Sequence, residues 1–230
     1  MHERIVELRE AGKQYQSGDS LLTVLKPVSL ELFKNELLLL MGPSGSGKTT
    51  LLSLIGCVIY PTMGEVRINN QLTSSLKETQ LAALRLQYIG FIFQSYNLLA
   101  PLTGIENVAF PLQLQGISRK EAEKRALDAL EMVKMTHRKN SLPKQMSGGE
   151  QQRVAIARAL VSNPELVLCD EPTGALDKQS GEMVMQELRQ LSTRDKCVVV
   201  VTHDNRLIPY ADRILYLDNG YVSDHPFQND

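Results

Sequence analysis

Residues 42–49, GPSGSGKT, have the residue types and spacing of a loop that holds the phosphates of a nucleotide. They match the pattern G-x-x-x-x-G-K-[ST], and apolar runs on both sides predict the strand and helix that this pattern requires. Its glycines let backbone N–H groups converge on an anion, its lysine reaches the β- and γ-phosphates, and its threonine can ligate Mg²⁺. The chain is therefore predicted to bind a nucleoside triphosphate. The positions assigned to it are Gly42, Ser44, Gly45, Ser46, Gly47, Lys48, Thr49 and Thr50.

Two acidic residues, Asp170 and Glu171, follow a second apolar run at residues 166–169. Ligands of open α/β sheets bind at the carboxyl ends of the strands, so both side chains are expected near the phosphates. Asp170 fits as a partner of Mg²⁺, and Glu171 fits as the group that polarises a water attacking the γ-phosphate. The plainer alternative is a pair of acids that merely face solvent at a strand end.

Three further residues have side chains suited to such a site. His203 ends the apolar run 197–202 and is predicted to reach the γ-phosphate, although a histidine there is often only structural. Gln94 ends another strand, and its amide oxygen suits Mg²⁺ or the attacking water. Tyr15 precedes a turn and is predicted to stack on adenine, with an ordinary strand aromatic as the alternative.

A second glycine-rich segment, Ser147-Gly148-Gly149, stands before a strong helical pattern. A serine and two glycines at a helix N-terminus form another anion-binding end, although they also fit a simple helix cap. One nucleotide does not need two such cradles from a single chain. This surplus is the first indication of a site shared between two chains.

Composition limits the classes of function. The 230 residues include 25 basic and 26 acidic side chains, so no electrostatic footprint for nucleic acid or anionic lipid is visible. The apolar stretches are shorter than the ~20 residues that span a bilayer, so a membrane role is expected to act through a partner. Cys57, Cys169 and Cys197 form no CxxC pair and are predicted to be buried free thiols.

The order of patterns predicts an α/β protein with a helical insertion. Strand-like and helix-like segments alternate before residue 94, helical patterns fill residues 95–160, and a βαβ unit with parallel strands follows. Predicted strands lie within 3–33 and at 37–41, 65–69, 89–93, 166–169, 197–201, 214–217 and 221–222. Predicted helices are 51–55, 76–87, 104–115, 118–135, 153–161 and 179–193.

Taken in order, these motifs resemble the ATP-binding subunit of an ABC transporter. They are GPSGSGKT, Gln94, SGGEQ at 147–151, LVLCDE at 166–171, Ala175-Leu176-Asp177 and His203. The resemblance implies a P-loop NTPase (RecA-like) core with a mainly parallel sheet, an antiparallel β subdomain and an inserted α-helical subdomain. It also implies one domain over 1–230, in which residues 1–94 and 161–230 form the core and residues 95–160 the helical subdomain.

The resemblance further implies ATP and Mg²⁺ as cofactors and a head-to-tail dimer of two copies. Each ATP would lie between the phosphate loop of one copy and Ser147, Gly148, Gly149 and Gln151 of the other, and Asp177 would cross the interface. FIFQSYNLL and EPTGALD are similar to the macrolide-export and lipoprotein-release branch. That branch implies an integral membrane permease as partner, a periplasmic adaptor, and a location at the cytoplasmic face of the inner membrane.

Two other functions, and two interpretations of residues 95–114, remain at this point. A soluble, non-transport ABC ATPase acting on nucleic acid or ribosomes is the main alternative, and a small-molecule kinase leaves SGGEQ and His203 unexplained. Residues 95–114 are either core of the helical region or the lining of a groove for a short permease helix, with Leu98 and Leu99 as the test positions.

Overall fold

A computed structural model describes residues 3–18 and 20–227 of the chain. Its strands form two sheets, and α-helices cover both faces of the larger one. The strands are β1 Arg4–Ser17, β2 Ser20–Phe33, β3 Glu36–Met41, β4 Met63–Ile68, β5 Gln71–Leu72, β6 Ile89–Phe93, β7 Leu166–Asp170, β8 Cys197–Thr202, β9 Arg213–Asp218 and β10 Tyr221–Ser223. The α-helices are α1 Lys48–Ile55, α2 Glu78–Tyr88, α3 Gly104–Leu114, α4 Arg119–Met132, α5 Gly148–Leu160 and α6 Lys178–Ser192.

The larger sheet has the strand order β10-β9-β3-β8-β7-β6, and only β10 runs antiparallel to its neighbour. Its central strands are unbroken apolar runs because both of their faces are buried. Alternate side chains of β3 face opposite layers: Leu38 and Leu40 pack with α1, whereas Leu37 and Leu39 pack with the helices of the other face.

The smaller sheet is antiparallel, with the order β2-β1-β4-β5. It packs on the α1 side of the larger sheet, in the same apolar cluster as Leu51 and Ile55. The two or three strands predicted within residues 3–33 are present as two long strands, β1 and β2, and β-bulges interrupt their pairing. The predicted turn between them includes Asp19, which lies outside the described residues.

The helical region predicted from sequence is present, since none of residues 94–165, all of which are described, belongs to a strand. Helices α3, α4 and α5 pack against one another, and their apolar side chains join the cluster beneath β3 and β8. The predicted α/β class, with a mainly parallel sheet, an antiparallel sheet and a helical insertion, is thus confirmed. The residue at which one subdomain gives way to the next stays a prediction.

Several predicted element ends are wrong by two or three residues. Helix α4 ends at Met132 rather than 135, because Lys134 adopts a left-handed φ of 58° and the N–H of Met135 bonds to the Leu130 carbonyl at 2.7 Å. Helix α2 begins at Glu78 rather than 76, since a 3₁₀ turn occupies Thr73–Ser75. The ends of helices depend on such local turns and backbone hydrogen bonds, which hydrophobic periodicity does not encode.

Candidate active site

The phosphate-loop motif, residues 42–49, runs from the carboxyl end of β3 into the first two residues of α1, Lys48 and Thr49. Gly47 has a φ of 106°, and a Cβ built there would lie 2.7 Å from the carbonyl oxygen of Val24 on β2. Both facts demand glycine at this position. Ser46 is buried beneath the loop, and its hydroxyl has no hydrogen-bond partner in the described part of the chain. The α1 N-terminus adds its positive dipole end at this loop.

Lys48 already holds the loop in shape. Its ammonium donates to the carbonyl oxygens of Gly42 at 2.8 Å and Pro43 at 2.7 Å. Burial lowers the pKa of Lys48, while the negative charges of Glu171 and Asp170 act in the opposite direction. The site therefore keeps a desolvated cation beside two carboxylates, and such a cation interacts strongly with an anion that enters.

Asp170 is the last residue of β7, and its carboxylate faces the phosphate loop. The Thr49 hydroxyl donates to Asp170 Oδ2 at 3.4 Å. Burial and the neighbouring charge of Glu171 raise the pKa of Asp170, whereas the Thr49 bond and Lys48 lower it. Among the described residues no group of three or more His, Cys, Asp or Glu side chains could hold a metal. Thr49 and Asp170 are instead a pair of oxygen donors that suits a Mg²⁺ completed by phosphate oxygens and water.

Glu171 follows β7 in a strained backbone conformation, with a φ of 47°. A left-handed residue that carries a Cβ costs roughly 1–2 kcal/mol. Two backbone bonds maintain it: its N–H donates to Val201 O at 3.0 Å, and its carbonyl accepts from the Gly174 N–H at 3.1 Å. These two bonds hold the strained backbone in place and so fix the direction of the Glu171 carboxylate.

The Glu171 carboxylate meets the end of the neighbouring strand β8. Thr202 Oγ1 donates to Glu171 Oε2 at 3.3 Å, and His203 Nδ1 lies 2.7 Å from Oε1. The His203 side chain is 74% exposed and Glu171 only 15%, so the histidine stands at the rim and the carboxylate inside. This pair can orient a water molecule and exchange a proton with it.

These groups border one cleft of about 710 Å³ at the carboxyl edge of the larger sheet. The sequence-predicted residues in its lining are Ser44, Gly45, Gly47, Lys48, Thr49, Thr50, Gln94, Asp170, Glu171 and His203. Val24 and Pro43 line it as well. No sequence signal identified Val24, because it is an ordinary valine of β2 that reaches the cleft only through the packing of the two sheets.

Gln94 follows β6 at the cleft edge and is exposed. A Cβ built at Gly174 would lie 2.9 Å from Gln94 Nε2, so the amide rests against the segment after Glu171. Tyr15 is not among the lining residues of the described cleft. Its ring is 41% exposed, and the Lys13 ammonium lies 5.2 Å from the ring centroid. Its predicted contact with adenine stays a prediction.

The second glycine-rich segment, residues 147–149, lies outside this cleft and is the second cradle of the sequence analysis. Ser147 caps α5 by accepting from the Glu150 N–H at 3.3 Å, and Glu150 returns a bond to the Ser147 N–H. These bonds and the Arg138 guanidinium lower the pKa of Glu150 to about 2. Gln151 donates to the Met146 carbonyl at 3.1 Å. The helix cap considered in the sequence analysis is thus present, with Ser147 still exposed to solvent.

Asp177 and the two glycines of the second cradle are likewise not brought into the cleft. Asp177 caps α6 by accepting from the N–H and hydroxyl of Ser180, at 3.0 and 2.6 Å. Gly148 packs beside the Tyr96 ring, where a Cβ would lie 2.8 Å from the hydroxyl oxygen, and Gly149 is half-buried. One chain therefore presents a cleft and, separately, an exposed helix N-terminus.

Comparison with known proteins gives a consistent result. Residues 25–174 match the family model described as ABC transporter. The chain is 47% identical over 223 residues to the uncharacterized ABC transporter ATP-binding protein MJ0796 of Methanocaldococcus jannaschii, with 95% of each chain covered. It is 42% identical to the macrolide export ATP-binding/permease protein MacB of Mannheimia succiniciproducens. That match covers 98% of this chain but 36% of MacB, so the chain spans about a third of that relative.

Solved structures give the same picture. A dimeric structure of a post-hydrolysis state of the ATP-binding cassette MJ0796, bound to ADP and Pi, superposes with a TM-score of 0.88 and 44% identity. The match covers 97% of this chain and all of that one. A second dimeric structure of MJ0796, described as a bacterial ABC transporter cassette, also has a TM-score of 0.88, with 46% identity over 94% of this chain and 95% of that one.

Proposed function

The chain belongs to the ABC transporter family, and on that basis we propose that it is the ATP-hydrolysing subunit of a membrane exporter. The observation that carries this proposal is the single cleft that gathers Lys48, Thr49, Asp170, Glu171 and His203. It contains a phosphate cradle, a pair of oxygen donors and a carboxylate held by a histidine. These are the groups needed to bind a nucleoside triphosphate and direct water at its γ-phosphate.

Each group has a chemical role in the proposed reaction. Lys48 would neutralise charge on the β- and γ-phosphates, and the backbone N–H groups of the loop would bind the phosphate oxygens. Glu171 would orient and polarise the attacking water, with His203 holding that carboxylate from the cleft rim and contacting the γ-phosphate. Gln94 would contact the water or the metal through its amide oxygen.

A Mg²⁺ ion fits the same cleft. The side-chain oxygens of Thr49 and Asp170 lie within hydrogen-bond distance of each other, and Gln94 lines the same cleft. Burial raises the pKa of Asp170 because the charged carboxylate is poorly solvated there, and a cation bound beside it would offset that cost. When bound with ATP, the ion supplies neutralisation of phosphate charge during transfer.

A second copy of the chain is the proposed partner that completes the site. Ser147, Gly148, Gly149 and Gln151 lie at an exposed helix N-terminus outside the cleft, where a neighbouring copy's ATP is the anion that this end suits. Asp177 caps α6 close to this surface, since a Cβ built at Gly149 would lie 3.9 Å from the Ser180 hydroxyl that donates to Asp177, and it would meet the partner. The dimeric state of the MJ0796 cassette bound to ADP and Pi supports this arrangement.

ATP should therefore convert the protein into a dimer. We expect Glu171→Gln protein to double its mass by light scattering when ATP and Mg²⁺ are added, and to return to monomer with ADP. Adding Ser147→Glu should weaken this dimer at least about tenfold, because a carboxylate would then face the triphosphate. Ser118 caps α4 in the same way, so Ser118→Glu is the matched control and should leave the dimer intact. If the mass measured by light scattering stayed the same when ATP was added, the nucleotide site would be completed by a single chain.

The membrane partner is proposed from an apolar groove of about 540 Å³ on the helical side. None of the helices in the described part of the chain is long and apolar enough to cross a membrane. Leu99, Phe110, Pro111 and Leu114 line the groove, and Leu99 and Leu114 are 38% and 57% exposed. Such a surface fits a short amphipathic helix of an integral permease. MacB relatives, whose names include a permease, support this choice of partner.

The proposed location and assembly follow from that partner. The subunit would sit at the cytoplasmic face of the inner membrane through its permease, and a periplasmic adaptor would complete an exporter of the macrolide-export or lipoprotein-release branch. The segment after Gln94 joins the groove to the cleft. The Arg158 guanidinium donates to the carbonyls of Tyr96 at 2.9 Å and Asn97 at 2.6 Å. A shift of Gln94 on nucleotide binding would therefore be transmitted to the groove.

Charges introduced into the groove should release the subunit from membranes. We expect Leu99→Glu and Leu114→Glu to lower the membrane-bound fraction about tenfold or more, since docking would bury an unpaired carboxylate. ATP binding by the purified protein should persist. Met132→Glu, at a 65% exposed position of α4, is the control. Leu98 is less suitable than the sequence suggested, because it packs against the core and a charge there would destabilise the helical region.

Two outcomes would contradict the groove proposal. Membrane association that survives Leu99→Glu and Leu114→Glu together would mean that the permease docks elsewhere. If no integral membrane protein co-purified with the wild-type subunit from native membranes, that result would contradict the transporter function itself.

A further inference from the structure

Gln152 is a buried polar residue of α5 that the proposed reaction does not use. Its side chain is 1% exposed, and Nε2 donates to the carbonyl oxygen of Pro172 at 2.9 Å. Its Oε1 has no hydrogen-bond partner among the described residues. The opposite orientation of the amide would bring two oxygens together, so the hydrogen bond to Pro172 fixes the orientation.

An unpaired buried oxygen is unfavourable, so an apolar side chain of the same shape would pack better at this position. Within the described part of the chain, the side chain of Gln152 makes a single hydrogen bond, the one to Pro172. Pro172 is the residue after Glu171, whose backbone is strained. Gln152 thus adds a third anchor to the two backbone bonds that hold Glu171 in place.

The other end of this connection is the helix N-terminus. Ser147 caps α5 five residues before Gln152, which is about 7.5 Å along the helix axis. In the proposed dimer, Ser147 faces the ATP held by the partner, whereas Glu171 acts on the ATP of its own chain. The side chain of Gln152 is therefore a direct polar contact between the helix at one nucleotide and the carboxylate segment at the other.

We propose that Gln152 is a positioning residue: it holds the Glu171–Pro172 backbone against α5 and so sets the Glu171 carboxylate according to the position of that helix. This inference rests on the proposed function, because it needs Glu171 to act on water. It assigns no contact between Gln152 and the nucleotide. The contribution of Gln152 to turnover is made entirely through Glu171.

Gln152→Met tests the proposal because methionine keeps the length and volume but donates no hydrogen bond. We expect kcat for ATP hydrolysis to fall about 10- to 100-fold, since small misplacement of a reacting group has effects of that size. The KM for ATP should change less than threefold. Gln186→Met, on the exposed face of α6, is the matched control and should retain parental turnover.

A double-mutant comparison separates positioning from general damage. In the Glu171→Gln background, Gln152→Met should leave both the residual single-turnover rate and the ATP-dependent dimer unchanged, because the group through which it acts is gone. A further fall in either quantity would show a merely structural role and overturn the proposal. Full activity of Gln152→Met would overturn it as well.

Gln152→Glu gives an independent readout if the methionine variant folds poorly. A buried carboxyl has a raised pKa, and its protonated form can donate to the Pro172 carbonyl. Activity relative to the parent should therefore rise as the pH is lowered from 8 to 6, and a flat ratio in folded protein would contradict the proposal. Near-parental turnover of Glu171→Gln would instead overturn the proposed function, so the two failures are distinguishable.

Discussion

Replacing Glu171 by glutamine should lower ATP turnover by about 10²–10⁴-fold, the usual contribution of a general base. Glutamine keeps the size of the side chain and can still contact Thr202 and His203, so the strained segment should keep its conformation. ATP affinity should be nearly unchanged, since Glu171 is placed toward the attacking water rather than the triphosphate. The expected product is an ATP-bound dimer that persists, measured by light scattering beside a phosphate-release assay.

The control for this substitution is Glu187→Gln. Glu187 is a half-buried carboxyl of α6 whose pKa is raised by burial, and it does not line the cleft. Neutralising it should leave turnover within about twofold of the parent, because Glu187 lies on α6 outside the cleft that holds the proposed reacting groups. Near-parental hydrolysis by Glu171→Gln would remove Glu171 from the role of general base and would leave His203 as the remaining candidate.

Replacing Lys48 by methionine should weaken ATP binding itself by at least about 10²-fold. Hydrogen bonds that involve a charged group contribute about 1.5–3 kcal/mol each, and Lys48 is expected to make two with the β- and γ-phosphates. Methionine keeps the aliphatic stem in its buried position, so the loss reports the cation rather than a cavity. Titration calorimetry with ATP measures the change, and turnover should fall with the loss of bound nucleotide.

Lys196 provides a closely matched control. It is also a buried lysine, and its ammonium donates to Asn163 Oδ1 and the Pro164 carbonyl, both at 2.7 Å. It precedes β8, at the opposite end of that strand from His203. Lys196→Met should therefore lower the melting temperature but not the ATP affinity. Equal losses of ATP affinity in the two variants would show that the Lys48 effect comes from a general loss of structure.

The phosphate loop was predictable from sequence because its chemistry is local. Eight consecutive residues supply the glycines, the lysine and the hydroxyl, and the adjacent apolar runs supply the strand and helix. The same holds for the acidic pair after β7. Parallel strands place their carboxyl ends at one edge, so a βαβ pattern sufficed to expect Asp170, Glu171 and His203 together.

The strand order was not contained in these local patterns. Strand β8 lies between β3 and β7, which sets His203 between the phosphate loop and Glu171. Every central strand is an unbroken apolar run, so periodicity and composition do not distinguish their neighbours. Only the packing of helices on both faces selects one order among them.

Side-chain direction likewise depended on the tertiary structure. Adjacent leucines 98 and 99 looked equivalent in sequence, yet Leu98 packs against the core and Leu99 lines the groove. Val24 reaches the cleft because the antiparallel sheet packs beside the phosphate loop, and Gln152 reaches Pro172 because α5 packs near the end of β7. A sequence specifies which chemical groups are available within a few residues, whereas contacts between residues far apart in the chain arise only when the layers pack and fix each side chain's neighbours.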